Sequence, residues 1–595
     1  MRTLAGLLTD ACRAHGRRTF LVYPEGPDEA LRQESYAEFL LAVQAWAAFL
    51  QRQGVQPGDR VGILTPKSPL QVRALYAAWW AGAIAVPICE TLGDLELGFI
   101  IRDSEPKLLL CDPSVLQKVT ANRGAVPLFS FADLPATTAA DNALAAAART
   151  EDDVAALIYT SGSTGMPKGV MLSHRNFCVN AASAAAVFRF STQDRLLSLL
   201  PYWHSYALVC EVMTVPLCGG QTAIPKDMRD FRRNVRAYQP TVILLVPRIA
   251  DALKSGIQKR LAESPERSRR LFERAVHNAS RIFTAGPRLS GGMLRMLAHH
   301  AFFDPLVFRR IRASLGGQLR FFVSGGAPLD IEPQIFFKYL GIPIHQGYGL
   351  TESTPIISAN VPERHKLGSS GALLPWLQPE HGGDYAFRDE QGRLGKTLRG
   401  ELLVKGDCVM KGYWRHTDAS AKTLAEGWLH TGDMGYVDAE GFLFLEGRRG
   451  NLIVLAGGEK LHPEHVEDAI KTSPLVTECM VIGEQCKNLY ALVNADPETT
   501  AALSAPQRLE CLRLAVQEKT RHLAAYQRPK DVLVLPDFSV DAGTLTATLK
   551  VRRPLIWQKH GADISAFLTR NGEDTASKRG VGIASSKVLE SLGRT

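Results

Sequence analysis

The sequence predicts an α/β protein: a large N-terminal body with mostly parallel sheets flanked by helices, followed by a small mobile C-terminal α+β domain. Three observations lead there. Short apolar runs stopped by Gly or Pro alternate with helical stretches up to about residue 345, the pattern of central strands in a parallel sheet. After about Gly400 the strand-like runs crowd together, and a separate set of helices and strands begins near 447–451. The 595 residues, 46% of them hydrophobic, are enough for several cores. The expected divisions are 1–447 for the body, 448–451 for a hinge, 452–567 for the C-terminal cap and 568–595 for a polar, aperiodic, disordered tail.

In chain order, residues 36–53 carry apolar side chains at helical spacing. Residues 60–64 read as a strand after the turn Gln56-Pro57-Gly58-Asp59, and 69–82 as a mostly apolar helix. Strands are expected at 154–158, 242–246, 321–323 and 342–345. Between Arg248 and Arg320 lies a helical, arginine-rich region whose ordinary reading is a solvated face; its sharper reading is a surface for an anionic membrane or an acidic partner. Beyond Gly400 come the strand-like ELLVKG, GFLFLEG and NLIVLAGG, a helix at 463–472, strands at 478–482 and 489–493, a helix at 508–523 and a strand at 532–535.

Composition narrows the function classes. The net charge of +9 suits acidic ligands, and no nucleic-acid motif accompanies it. Ten cysteines without a CxxC pair argue against a zinc site or a disulfide framework and fit a reducing cytosol. The start, MRTLAGLLTDACRAHGRR, lacks the apolar core and cleavage site of a signal peptide. The apolar window 74–86 is too short to span a bilayer, and 196–220 is broken by Pro201, His204, Glu211 and Pro216. A cytoplasmic protein, with peripheral membrane association left open, is the expectation.

The chemistry centres on YTSGSTGMPKGV at 159–170. Thr160, Ser161, Ser163 and Thr164 supply hydroxyls, Gly162, Gly165 and Gly169 let backbone N–H groups turn inward, and Lys168 adds a point charge, together a grip for phosphate. Gly169 after the lysine excludes a Walker loop, and the strand-like residues that follow make this a loop between two strands. Alone, such a turn is more often a plain flexible loop than a ligand site. With SGGAPL (324–329), QGYGLTES (346–353), GWLHTGD (427–433), EGRR (446–449) and TLKVRR (548–553), in this order and approximate spacing, the chain resembles the adenylate-forming enzymes. Within them LLSLLPYWHSYAL, the VPR at 246–248, the basic helical insertion and QGYGLTES look most like the long-chain fatty-acid CoA ligases.

The resemblance, covering about residues 10–560, implies ATP and Mg2+ as requirements and CoA as co-substrate. It implies that Lys550 bridges carboxylate and α-phosphate, that Glu352 holds Mg2+ and that Thr351 contacts the α-phosphate. Asp433 and Arg448 match the ribose and phosphate contacts. Gly325, Gly326 and Ala327 with Gln346, Gly347, Tyr348 and Gly349 match the nucleotide cradle, the adenine lying on backbone beside the Tyr348 ring. His204 matches a residue at the acyl carboxylate, with Trp203 and Tyr206 lining or gating an acyl tunnel. Gly457, Gly458 and Lys460 match the hairpin that swings in for thioester formation. The hinge departs from the usual GRxKD or GRxKE, because Gly450 and Asn451 leave no acidic residue there. Two other outcomes stay open: an acyl-AMP ligase that loads an acyl carrier protein, and a non-catalytic nucleotide- or lipid-binding relative.

Overall fold

Strands as short and apolar as Val61-Gly62-Ile63-Leu64 cannot bury both faces alone, so they gather into sheets covered by helices. The computed structural model describes residues 3–26, 29–135, 144–160, 166–284, 301–536, 538–540, 542–546 and 550–573. One sheet has nine strands, in the order Ala372–Leu373, Ile356–Ala359, Ile344–Gly349, Phe321–Ser324, Val242–Leu245, Arg195–Leu197, Gln221–Ala223, Thr19–Glu25, Ala30–Ser35. Its middle is parallel and its two ends antiparallel. A second sheet of seven runs Gly412–Tyr413, Lys168–Ser173, Val154–Thr160, Ile84–Ile88, Arg60–Leu64, Leu108–Cys111, Leu128–Ser130, again parallel at its heart. The mostly parallel body expected from the sequence is present.

Helix Pro69–Trp80 shows how the sheets are joined. Ser68 accepts the Gln71 N–H, Pro69 occupies a first-turn position whose N–H needs no partner, and every residue from Gln71 to Trp80 is buried. A helix buried on all its faces needs protein on every side. Its side chains belong to one continuous core with Val61 and Ala85 of the seven-stranded sheet and Leu196, Val242 and Leu244 of the nine-stranded one. Helix Tyr36–Arg52 starts at a Ser35/Glu38 capping box and contributes Phe39, Val43 and Trp46 to that core. The arginine-rich helices Pro247–Ala262 and Glu266–Thr284 cover the far face of the nine-stranded sheet, with Arg267, Arg269, Arg270 and Arg274 exposed.

A third, antiparallel sheet, Leu394–Gly395, Asp384–Arg388, Gly400–Lys405, Leu429–Val437 and Leu443–Arg448, leads to the C-terminal unit. That unit packs helices Pro463–Lys471, Ala505–Thr520 and Arg553–Arg570 on the strands Val476–Ile482, Tyr490–Ala495 and Asp531–Val534. Two expectations need correction. NLIVLAGG is a strand only at Ile453–Val454; the chain then turns through Gly458, φ 89°, and returns as Lys460–Leu461. The disordered tail does not begin at 568, because the last helix continues to Arg570, Leu568 is buried, and Glu573 accepts the Lys487 and Asn488 N–H groups and the Tyr490 hydroxyl. Residues 574–595 lie outside the described residues. Among the described residues no helix is long and apolar enough to cross a membrane.

Candidate active site

The segment expected to grip phosphate is flanked by two antiparallel strands, in which Thr160 faces Lys168 and Tyr159 faces Gly169. Ser161, Gly162, Ser163, Thr164 and Gly165 lie outside the described residues. The strands at its base are pinned from below. Tyr159 donates its hydroxyl to Asp103 at 2.6 Å, and the Trp414 indole N–H donates to the Asp103 carbonyl at 3.0 Å. A Cβ at Gly169 would crowd the Tyr159 ring at 3.1 Å. On the other edge Gly412–Tyr413 pairs with Val170 and Met171, which brings the Tyr413 ring under Lys168 Nζ at 5.3 Å.

Tyr413 also reaches Glu352. Its hydroxyl donates to Glu352 Oε1 at 2.8 Å, and the Met410 N–H donates to the Glu352 carbonyl at 2.9 Å. Burial, and then the Glu352 charge, push the Tyr413 phenol well above its usual range, so it stays a donor. Thr351 opens the same short turn, and its hydroxyl lies 3.2 Å from that of Ser205, next to His204. Gly349 has no room for a side chain, because a Cβ would fall 1.8 Å from the Pro355 carbonyl. Gln346 accepts from the Gln334 amide at 3.3 Å, and Gly347 faces Ala359 across the strand pair.

Tyr348, Asp433 and Arg448 form one unit. The Tyr348 hydroxyl donates to Asp433 Oδ2 at 2.6 Å, Arg448 Nε lies 3.0 Å from Asp433 Oδ1, and Asp433 and Arg448 face each other across neighbouring strands. The Asp433 carboxylate raises the Arg448 pKa. Beneath them buried Glu401 accepts the Gly432 N–H at 3.2 Å and pairs with Arg449 at 2.9 Å, fixing the turn before Asp433. Gly325, Gly326 and Ala327 continue strand Phe321–Ser324; Gly325 is buried against Tyr206, and Gly326, at φ 86°, and Ala327 are exposed.

His204 is half-buried and caps the short helix Ser205–Ala207, its Nδ1 accepting the Tyr206 N–H at 3.2 Å. With Nδ1 an acceptor, the neutral ring carries its proton on Nε2. Burial, then the nearby Lys550, pull its pKa down to about 4, so it is neutral at pH 7. Trp203 lies edge-on to the His204 ring, centroids 6.2 Å apart. Tyr206 is a wall residue: it is buried, donates to the Val323 carbonyl at 3.0 Å and packs on Gly325. The chain continues into a π-helical turn, Leu208–Met213, in which buried Glu211 is pushed up to about 8 and nearby Lys67 down to about 8 by burial.

Lys550 comes from the C-terminal unit; its side chain is exposed and lies in electrostatic reach of Arg448, Asp433, Glu352 and His204. The surrounding protein and then Arg448 lower its pKa against the opposing pull of the two carboxylates. The structure thus brings Lys550, Glu352, Thr351, Tyr348, Asp433, Arg448 and His204 together. It keeps the Gly457, Gly458 and Lys460 hairpin elsewhere, Lys460 pairing with Glu390 at 2.7 Å. Tyr413, Glu401 and Asp103 were missed in the sequence because their roles rest on pairings of distant segments; GYW at 412–414 was the nearest signal.

No cluster of three or more His, Cys, Asp or Glu side chains suited to a metal occurs among the described residues. A single oriented carboxylate, Glu352, fits Mg2+ that arrives on a polyphosphate, since that ion commonly keeps one protein carboxylate beside phosphate oxygens.

The profile of the AMP-binding enzyme family matches residues 8–414, and that of the AMP-binding enzyme C-terminal domain matches 450–571. The long-chain-fatty-acid–CoA ligase FadD15 of Mycobacterium bovis is 30% identical over 588 residues, covering 93% of this chain and 95% of that protein. The chloroplastic long-chain-fatty-acid–[acyl-carrier-protein] ligase AEE15 of Arabidopsis thaliana is 29% identical over 454 residues, 69% of this chain and 61% of its own length. The o-succinylbenzoate CoA synthetase of Bacillus subtilis, solved with its acyl-adenylate intermediate, superposes with a TM-score of 0.70 at 25% identity, covering 92% of this chain and 96% of the other.

Proposed function

This chain belongs to the AMP-binding enzyme family, and on that footing we propose that it is an ATP-dependent acyl-CoA ligase whose acid is a long-chain fatty acid, activated through an acyl-adenylate. The arrangement that carries the reading is Lys550, supplied by the small domain, within electrostatic reach of Glu352, Asp433 and Arg448. Adenylation brings a carboxylate onto an α-phosphate. An uncompensated pair of unit charges 4 Å apart costs ~4 kcal/mol at an effective dielectric near 20, so cations must converge there.

Lys550 supplies the mobile cation, delivered by a domain that can withdraw once the adenylate has formed. Neutral His204 offers Nε2–H to the acid without adding a second charge that would repel Lys550. Asp433 accepts from the ribose hydroxyls while Arg448 holds its other oxygen. Lys168 lies on the polyphosphate side with Tyr413 beneath it. Glu352, aimed by Tyr413, would hold Mg2+, which neutralises phosphate charge when bound. Gly457, Gly458 and Lys460 are assigned to the later thioester step.

A long acyl chain suits an apolar interior, because each buried methylene contributes about 0.8 kcal/mol. The test is AMP release and acyl-CoA formation with ATP, Mg2+ and CoA over acids of short, medium and long chain and over aromatic acids. Activity rising to a maximum at long chains supports the proposal; a preference for short or aromatic acids overturns the substrate while leaving the ligase. A second reading, transfer to an acyl carrier protein, is favoured by the exposed arginines of Glu266–Thr284, which suit an acidic partner. Adenylate formation without CoA consumption, followed by loading of added holo-carrier, would select it.

A further inference from the structure

We infer that Glu96, on the body, is the docking point that places Lys550 for adenylation, and that it acts through Arg552. The inference rests on the adenylation reading above. Arg552 Nη1 donates to Glu96 Oε1 at 3.0 Å across the domain boundary, with only 15% and 23% of the two side chains exposed.

Among the described residues, 544–546 and 550–552 pair with each other as the two limbs of a hairpin. Thr546 N–H donates to the Lys550 carbonyl at 2.9 Å, Lys550 N–H to the Thr546 hydroxyl at 3.0 Å, and Arg552 N–H to the Thr544 carbonyl at 2.9 Å, with Leu545 bridged to Val551. A guanidinium anchored at the base of such a hairpin fixes where the lysine two residues earlier can go. Arg552 Nη1 also reaches the Gly543 carbonyl at 3.4 Å, so one side chain ties both limbs to the body.

The neighbouring arginine has a different task. Arg553 donates to Glu467 at 2.6 Å and to the Val481 carbonyl at 3.1 Å, all within the small domain. One arginine therefore holds the domain together and the next docks it. Among the described residues the other ion pair across the boundary, Lys460–Glu390, has side chains 50% and 65% exposed, where a pair contributes little. Glu96 stands in the first turn of helix Asp94–Ser104. Because the small domain must turn away before the thioester step, the pair serves adenylation alone, and Glu96 is a positioning residue.

The experiment separates the half-reactions in the full-length enzyme. Glu96→Gln should lower acid-dependent ATP–pyrophosphate exchange about tenfold, the scale of a lost charge-assisted hydrogen bond. Thioester formation from supplied acyl-adenylate and CoA should change by less than about twofold. The charge exchange Glu96→Arg with Arg552→Glu should recover exchange relative to Glu96→Arg alone. Unchanged exchange in Glu96→Gln, an equal fall in both half-reactions, or no recovery in the double variant would overturn the inference. If the wild type shows no exchange with any acid, it is the adenylation reading that fails. Docking is then judged by tryptic cleavage at Lys550 and Arg552 without substrate, faster in Glu96→Gln if the pair holds the hairpin and equal to wild type if it does not.

Discussion

Tyr413 links three parts of the candidate site: its ring lies under Lys168, its hydroxyl holds Glu352, and its backbone pairs with strand Lys168–Ser173. A hydrogen bond to a carboxylate contributes about 1.5–3 kcal/mol, so Tyr413→Phe should reduce kcat/KM for ATP roughly tenfold to a hundredfold and raise the Mg2+ concentration needed for half-maximal rate. An unchanged Mg2+ dependence would remove Tyr413 from this role. His204 and Lys550 set the pH response. With its pKa near 4, His204 does not titrate between pH 5 and 8, and Lys550 loses its proton below the ordinary 10.5. The rate of ATP–pyrophosphate exchange should be level from pH 5.5 to 8 and fall on an alkaline limb that begins below 10.5; a limb near 6.5 would mean that the histidine ionises during turnover. The types of these residues could be read from the sequence. Tyr413 could not, because a lone tyrosine carries no sign of the carboxylate that the fold sets against it.

At the scale of elements, the buried ring pair His345–His365 has a cost. The centroids are 5.0 Å apart, His345 lies among Phe188 and Phe321, and neither His345 nitrogen has a hydrogen-bond partner among the described residues. Burial pulls His345 down to about 3 and His365 to about 4. Between pH 6.5 and these values the unfolded chain binds protons that the folded chain does not. Stability therefore falls with pH in that window, by about 1.4 kcal/mol per pH unit per histidine. His345→Phe keeps a ring in place and removes one such term, so its stability relative to wild type should rise by about 2 kcal/mol between pH 6.5 and 5 in urea unfolding. An equal difference at both pH values would refute this. Glu573, which takes three donors near strand Tyr490–Ala495, should cost about 2 kcal/mol when replaced by alanine, seen as earlier urea unfolding of the small domain. Its place was hidden in the sequence because the polar tail gives no periodic signal, while one buried carboxylate closes the helix. Strand Arg60–Leu64 and helix Pro69–Trp80 were readable because apolar runs, a proline start and glycine stops all agree there.

At the scale of the whole molecule, two sheets and their shared helices carry His204, Thr351, Glu352 and Tyr348, while Lys550 comes from the C-terminal unit. The six motifs pointed to that division. The sequence could not say which orientation the small domain takes, since ion pairs such as Arg552–Glu96 join residues 456 positions apart. Asn451, where the resemblance led to the expectation of an acidic residue, donates its amide to Glu464 within the small domain, a bond that the spacing alone did not suggest. The most direct measurement is long-chain fatty-acid-dependent ATP–pyrophosphate exchange by the wild type and by Lys550→Ala, with ATP binding measured calorimetrically on both. The predicted result is a loss of exchange by about a hundredfold or more with ATP affinity kept within about threefold. Exchange by Lys550→Ala at the wild-type rate would contradict the account.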